Sequence, residues 1–405
     1  MEFFFTYLRN NFLKINLFLL LLVCLSAFLH ELNGSTLNIF IFEAGKFSDL
    51  SVAIDFTRNS IPYSGTWPSA NYPPFAFFLL SFFGDIDPEV AVFLFIFLSL
   101  FLTFLGTLLV SKDLKNNNQS YLILTLCIVF SHPFLFAIFR GNLDLFVGFL
   151  MIFFFYGLNR KNLLAGVAIG LAGAIKISPL AFILIFVFKK DIKNIAISLS
   201  IFILSNLLVI NYWNLDFFKF MDLFLNELKI YQELYVLGGA GMSFFSDPWL
   251  LINGFVRFID ENLWDIYGPD FLIFYNFFQI FICSIFTILI FLKKISIRTS
   301  TMLIIISFML MGFPFPTNDY KLLYLLPGFL VIMTSSSYEK NIYLITLKIL
   351  LLITFLHLSF FSVYLNFVNI SSILRPMIYL AGMTTIGLYL IQLFFHPKEN
   401  QFKIK

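Results

Sequence analysis

Four short stretches carry groups able to do chemistry. Asp49, Asp55 and Arg58 lie within ten residues in "SDLSVAIDFTRN", 48–59. Arg140, Asn142 and Asp144 lie in "RGNLD", 140–144, and Lys176 stands alone in "GAIKISP", 173–179. Asp319, Tyr320 and Lys321 lie in "NDYK", 318–321. A carboxylate can accept the proton of an attacking hydroxyl. A lysine or arginine can hold an anion such as a phosphate. Asparagine, aspartate and tyrosine can fix polar substrate groups. Each stretch also has a plainer reading. Asp55 and Arg58 are three apart and can pair on a helix, with Asp49 on roughly the opposite face. Arg140 and Asp144 can pair across a tight turn at Gly141. Asp319–Lys321 can be an ordinary loop. Lys176 is harder to explain this way, because a snorkelling lysine needs a nearby aqueous rim.

These groups need positioning in a chain that is mostly apolar. Of 405 residues, 60% are hydrophobic and 12% charged, where a soluble domain carries roughly a quarter charged. Repeated apolar runs near 20 residues point to an all-α polytopic membrane protein. Runs that alternate in the manner of a membrane barrel are absent. Spanning helices are expected near 12–31, 88–111, 120–139, 142–158, 194–213, 271–292, 299–315, 320–336, 341–364 and 376–395. Two shorter apolar pieces, 162–175 and 178–188, flank Lys176 and read as a hairpin turning within the membrane, giving about 12 membrane helices in all. The first run lacks a small-x-small cleavage site and reads as a retained helix. Cys24, Cys127 and Cys283 sit in apolar runs and read as buried thiols.

Lysine and arginine favour cytoplasmic loops. That rule places both termini inside, with Lys14, Lys112, Arg160, Lys189, Lys293, Lys340 and a basic tail at 396–405 on that side. Most acids fall outside, including Asp49, Asp85, Asp144 and Asp319. The expected outer segments are 32–87, 214–270 and the short 314–321, the second with an amphipathic stretch near 216–237 and a glycine-rich "GGAGMS" at 238–243. Residues 1–405 then form a single integral domain in the inner (plasma) membrane. Within the first outer segment, "NYPPF" at 71–75 fixes Tyr72 beside a helix start. "DIDPE" at 85–89 contains an Asp-x-Asp, but Asp87-Pro88-Glu89 reads better as a helix cap.

Some chemistries have no support. No Walker loop, no GxGxxG before a helix and no His-Glu-x-x-His occurs, and the four histidines are scattered. The outer acidity argues against nucleic acid as a partner. No cofactor and no metal ligand set is expected, with a divalent ion left open.

In order, an outer Asp49, "IPY" at 61–63, "YPP" at 72–74, "RGNLD", "LAGVAIGLAGAIKISPL" at 164–180, "GGAGMSFF" and "NDYKLLYLLPG" at 318–328 resemble glycosyltransferase family 87 over roughly residues 40–330. These are membrane transferases of the GT-C type that use polyprenyl-phosphate sugars. The resemblance implies inverting transfer of a hexose, possibly mannose, from such a donor to a glycan or lipid-linked acceptor at the outer face. It assigns the general base to Asp49, with Asp55 the other candidate. It implies substrate contacts from Tyr72, Arg140, Asn142, Asp144, Lys176, Ser243, Asp319, Tyr320 and Lys321, supported by Asp55 and Arg58. The chain departs from the family in having "GNLD" for "GQ-x-N" and Asp319-Tyr320 where some members have histidine, so the sugar is not carried over firmly.

Other functions fit the residues less well, and a purely structural membrane protein leaves Lys176 and the acid-rich outer mouth unexplained. A polysaccharide polymerase or ligase would concentrate arginine and histidine in its large outer loop, whereas 214–270 holds Arg257 and no histidine. A lipid-linked-sugar transporter would show internal repeats and mid-membrane charges.

Overall fold

The computed structural model describes residues 1–32, 47–58, 63, 72–113, 121–231, 233, 256, 259, 261–292, 297–311, 319–334, 341–357, 364–365 and 368–395. The side chains of Arg58, Asp319 and Tyr320 lie outside that description, as does all of Ser243. Helices dominate. Tyr364–Leu365 and Val368–Asn369 pair as a two-residue antiparallel ladder.

The first twelve helices in chain order are α1 (Glu2–Asn10), α2 (Phe12–Leu32), α3 (Ser48–Arg58), α4 (Pro74–Gly84), α5 (Pro88–Asp113) and α6 (Tyr121–Val129), then α7 (His132–Arg140), α8 (Asp144–Arg160), α9 (Leu164–Ile175), α10 (Ile183–Lys189), α11 (Ile192–Tyr212) and α12 (Phe217–Tyr231). Longer helices follow at Glu261–Leu292 and Ile370–Phe395, with shorter ones at Thr299–Met311, Leu326–Thr334 and Ile342–Thr354.

Among the described residues, four helices are long and apolar enough to cross a membrane, or up to six if each bent pair counts as one span. The chain is therefore a multi-pass membrane protein, with fewer unbroken spans than the ten expected. Helix breaks inside apolar runs account for part of that difference. The run 120–139 divides into α6 and α7, bent by 59°. Pro133 stands at the start of α7 and has no N–H to continue the upstream ladder. The Phe130 carbonyl at the break instead accepts from Asn16 Nδ2 at 2.5 Å and from His357 Nε2 at 2.8 Å. The expected span at 320–336 begins as a 3₁₀ turn, Asp319–Leu325, and the one at 341–364 ends its helix at Thr354.

The core sits where these short helices meet. Every residue from Thr301 to Met311 and from Leu322 to Met333 is buried. By contrast α5 carries an exposed row of stacked rings, Phe93, Phe97 and Phe101, the kind of face that suits lipid tails. All three cysteines are free thiols, with Cys127 buried, Cys283 half-buried and Cys24 exposed.

The expected hairpin is present as α9, a 3₁₀ turn at Ser178–Phe182, and α10. Glycines make α9 thin enough to lie between α8 and α11. A Cβ on Gly170 would meet the Ser198 carbonyl at 2.7 Å, and one on Gly166 would meet Asn194 Oδ1 at 2.7 Å. Asn194 uses this approach to accept from the Gly166 N–H at 2.9 Å, an amide in the first turn of α9 with no partner inside its own helix. Ser198 Oγ donates to the Gly166 carbonyl at 3.0 Å. These contacts fix the N-terminal half of α9; at its other end Lys176 sits in extended conformation as the helix ends.

Candidate active site

Asp49 lies in the first turn of α3. Its carboxylate reaches across 91 residues to Arg140: Arg140 Nη2 donates to Oδ1 at 2.5 Å. Asn142 Nδ2 donates to Oδ2 at 2.6 Å. The ion pair is partly covered, with the Arg140 side chain 28% exposed and Asp49 15%. Arg140 thus pairs with Asp49, where sequence spacing offered Asp144. Each carboxylate oxygen thus accepts from a different side chain, which fixes the orientation of the group.

Gly141 makes this encounter possible. It ends α7 in the left-handed region, φ 65°, which suits glycine. Its missing Cβ leaves room for α3, since a Cβ there would meet Leu50 Cβ at 2.7 Å. The Phe47 N–H donates to the Phe139 carbonyl at 2.9 Å, tying the start of α3 to the end of α7.

Asn142 links the Asp49 carboxylate to the Asp144 backbone. Its Nδ2 serves Asp49, and its Oδ1 accepts from the Asp144 N–H at 3.0 Å. Asp144 opens α8 and is fully buried. Tyr324 Oη donates to Asp144 Oδ1 at 2.5 Å. No donor among the described residues reaches Asp144 Oδ2. Tyr324 lies on the 3₁₀ turn Asp319–Leu325, which packs against α7 and α8.

Tyr72 forms the next wall. Pro73 and Pro74 start α4 directly after it. The Phe75 N–H, exposed by the helix start, donates to Asn206 Oδ1 on α11 at 3.1 Å. The Tyr72 carbonyl accepts from Tyr63 Oη at 2.6 Å. Tyr63 is fully buried, with Phe77, Trp213, Phe220 and Phe224 packed edge-on around it. Phe220 and Phe224 lie on the buried face of α12, so this amphipathic helix braces the Tyr72 backbone through Tyr63. Asn142 Nδ2 comes to 3.5 Å from Tyr72 Oη, the outer limit of hydrogen bonding. Desolvation, then the Asp49 and Asp144 charges, push the Tyr72 phenol above its ordinary value, so it stays protonated.

The Lys176 ammonium sits 3.9 Å from the centre of the Tyr72 ring, a cation–π contact. It is 9% exposed, and no carboxylate among the described residues lies within ion-pair distance. It still feels Asp144 and Asp49 electrostatically. Lys321 is partly exposed and acts on the Asp144 charge in the same way.

Asp49, Tyr72, Arg140, Asn142, Asp144 and Lys176 therefore converge, with Lys321 near the Asp144 side. Asp55 is exposed on α3. The Arg58, Asp319 and Tyr320 side chains and Ser243 lie outside the described residues. Asp87 caps α5 through the Glu89 N–H at 3.0 Å, as its sequence suggested. No group of three or more metal-type ligands occurs among the described residues. Tyr63 belongs to the "IPY" motif at 61–63, but its bond to the Tyr72 carbonyl was not anticipated, nor was Tyr324, a tyrosine in an otherwise aliphatic run whose buried hydroxyl must find a partner.

No curated protein matches the chain. The model of glycosyltransferase family 87 matches residues 71–233, a span that includes Tyr72, Arg140, Asn142, Asp144 and Lys176 but stops short of Asp49 on one side and Tyr324 on the other. The match covers less than half of the chain, supports glycosyltransferase activity, and is to the same family that its motifs resemble.

Proposed function

We propose that the protein transfers a hexose, mannose being one candidate, from a polyprenyl-phosphate carrier to a glycan or lipid-linked acceptor, with inversion at the anomeric carbon. The site is taken to face the outer side of the inner membrane. One observation carries the reading: a carboxylate held by two donors, Asp49, shares a small polar site with a buried cation, Lys176, that has no carboxylate partner at ion-pair distance among the described residues.

In this reading Asp49 is the general base. Arg140 and Asn142 hold it in one orientation. The acceptor hydroxyl gives its proton to Asp49 as its oxygen attacks the anomeric carbon. The bond from that carbon to the phosphate oxygen breaks, and the electron pair leaves with the lipid phosphate. A positioned base of this kind typically contributes about 10²–10⁴-fold. Lys176 stands where a cation can stabilise the charge gathering on the departing phosphate. Tyr72 holds that ammonium through its ring face. The exposed aromatic faces of the helix bundle suit a polyprenyl tail.

The test compares cell-envelope glycans by mass spectrometry with the gene present, deleted, and restored as Asp49→Asn. A hexose present with the wild-type gene and absent in both other strains is expected. Full glycan with Asp49→Asn at normal protein levels removes Asp49 as the base. An unchanged profile on deletion removes the transferase reading in this envelope.

A further inference from the structure

We propose that Asp144 and Tyr324 form the subsite for one hydroxyl of the transferred sugar. Asp144 Oδ2 is the acceptor, and Tyr324 is the positioning residue that decides which carboxylate oxygen meets that hydroxyl. This rests on the donor reading given above and names what fixes the sugar itself.

The argument starts from an unmet need. Asp144 is fully buried, and its Oδ2 receives no hydrogen bond from the described residues. Leaving a buried acceptor bare costs about 1–3 kcal/mol, and more when it carries charge. The nearest cation does not meet that need, because Lys176 rests on the Tyr72 ring outside ion-pair distance. A donor that arrives with a ligand, displacing any water held there, meets that need. A lipid phosphate is itself an acceptor and cannot supply one. A sugar hydroxyl can.

The carboxylate is also held still. Tyr324 Oη occupies Oδ1 at 2.5 Å. Asn142 Oδ1 takes the Asp144 N–H at 3.0 Å, so the backbone turn is fixed as well. Through Asn142, Asp144 keeps a set distance from Asp49. A hydroxyl on Oδ2 is thus placed relative to the base as well as to the phosphate side. Without the Tyr324 hydroxyl both oxygens would be open and the carboxylate free to turn, so hydroxyls of different configuration could be met equally well.

The test uses the purified full-length protein and four probes: farnesyl phosphate and its mannose, glucose and galactose derivatives. Dissociation constants are measured for wild type, Asp144→Asn and Tyr324→Phe. In wild type at least one hexosyl probe should bind on the order of tenfold more tightly than farnesyl phosphate, the worth of one charged hydrogen bond. Asp144→Asn should bring that ratio close to one. Its affinity for farnesyl phosphate itself should hold or rise, because a negative charge near Lys176 has gone. Tyr324→Phe should lower the ratio and narrow the spread among the three hexoses, with farnesyl phosphate binding unchanged. A merely structural role would weaken all four probes together, and that result overturns the inference. So does a wild-type ratio of one, or a ratio both variants retain. Failure of wild type to bind farnesyl phosphate at all overturns the donor reading, and this inference with it.

Discussion

Gly141→Ala perturbs the site without removing any polar group from it. The residue sits at φ 65°, and an alanine there carries roughly 1–2 kcal/mol of backbone strain. The larger effect is steric. The new methyl would lie 2.7 Å from Leu50 Cβ, where ordinary contact begins at 3.4 Å, so α3 must retreat by about 0.7 Å. Asp49 directly precedes Leu50 and moves with it. Its bonds to Arg140 and Asn142, now 2.5 and 2.6 Å, then stretch to about 3.2–3.3 Å, the edge of useful hydrogen bonding. Misplacement by 1 Å can cost about 10²-fold in rate, so a fall of roughly 10–100-fold in transfer is expected from this shift. The assay is incorporation of radiolabelled hexose from a polyprenyl-phosphate donor into membrane glycan, alongside the amount and thermal midpoint of the purified variant. The variant should be made in normal amount with a modest loss of stability. Activity within about threefold of wild type would refute the claim that close approach at Gly141 sets the base.

Three further outcomes are expected. Lys176→Ala should raise the apparent KM for the lipid-phosphate donor in the same assay, with expression intact; an unchanged donor titration returns Lys176 to a structural role. Gly170→Val should lower the thermal midpoint and donor affinity together, because its side chain meets the Ser198 carbonyl and spreads α9 from α11; a stable variant with normal affinity contradicts the packing account. Cysteine placed at position 55, exposed on α3, should react with an impermeant maleimide in intact cells; labelling only after the cytoplasmic face is opened reverses the proposed orientation.

Much of the site was legible in sequence as individual residues, and little of it as pairs. Arg140 and Asp144 are four apart, so local spacing suggested that they bond to each other. Arg140 instead reaches Asp49, 91 residues away, because Gly141 turns the chain and admits α3. Lys176 was visible as a cation out of place, but its seat on the Tyr72 ring depends on how tightly the glycines let α9 pack. Tyr324 belongs to the aliphatic "KLLYLLPG", and nothing local marks its hydroxyl as meeting a carboxylate 180 residues earlier. The helical class was plain from composition. Unbroken spans were not, because hydropathy averages over a break: the run 120–139 stays apolar through Phe130 and Ser131, where α6 ends and α7 turns away by 59°. The side chains that stabilise that break, Asn16 and His357, come from opposite ends of the chain.

The bond between Tyr324 and Asp144 also sets a sequence of events during synthesis. The chain is made from its N-terminus at about 5–20 residues per second, so roughly 10–40 s separate the appearance of Asp144 from that of Tyr324. Through that interval Asn142 and Asp49 already exist and Lys176 soon joins them, but the Asp144 carboxylate has neither its phenol nor the 3₁₀ turn that carries it. A nascent chain paused before residue 324 therefore carries an open, hydrated carboxylate at the head of α8. Closure of the site is a late step, completed only when the C-terminal third of the protein has been made.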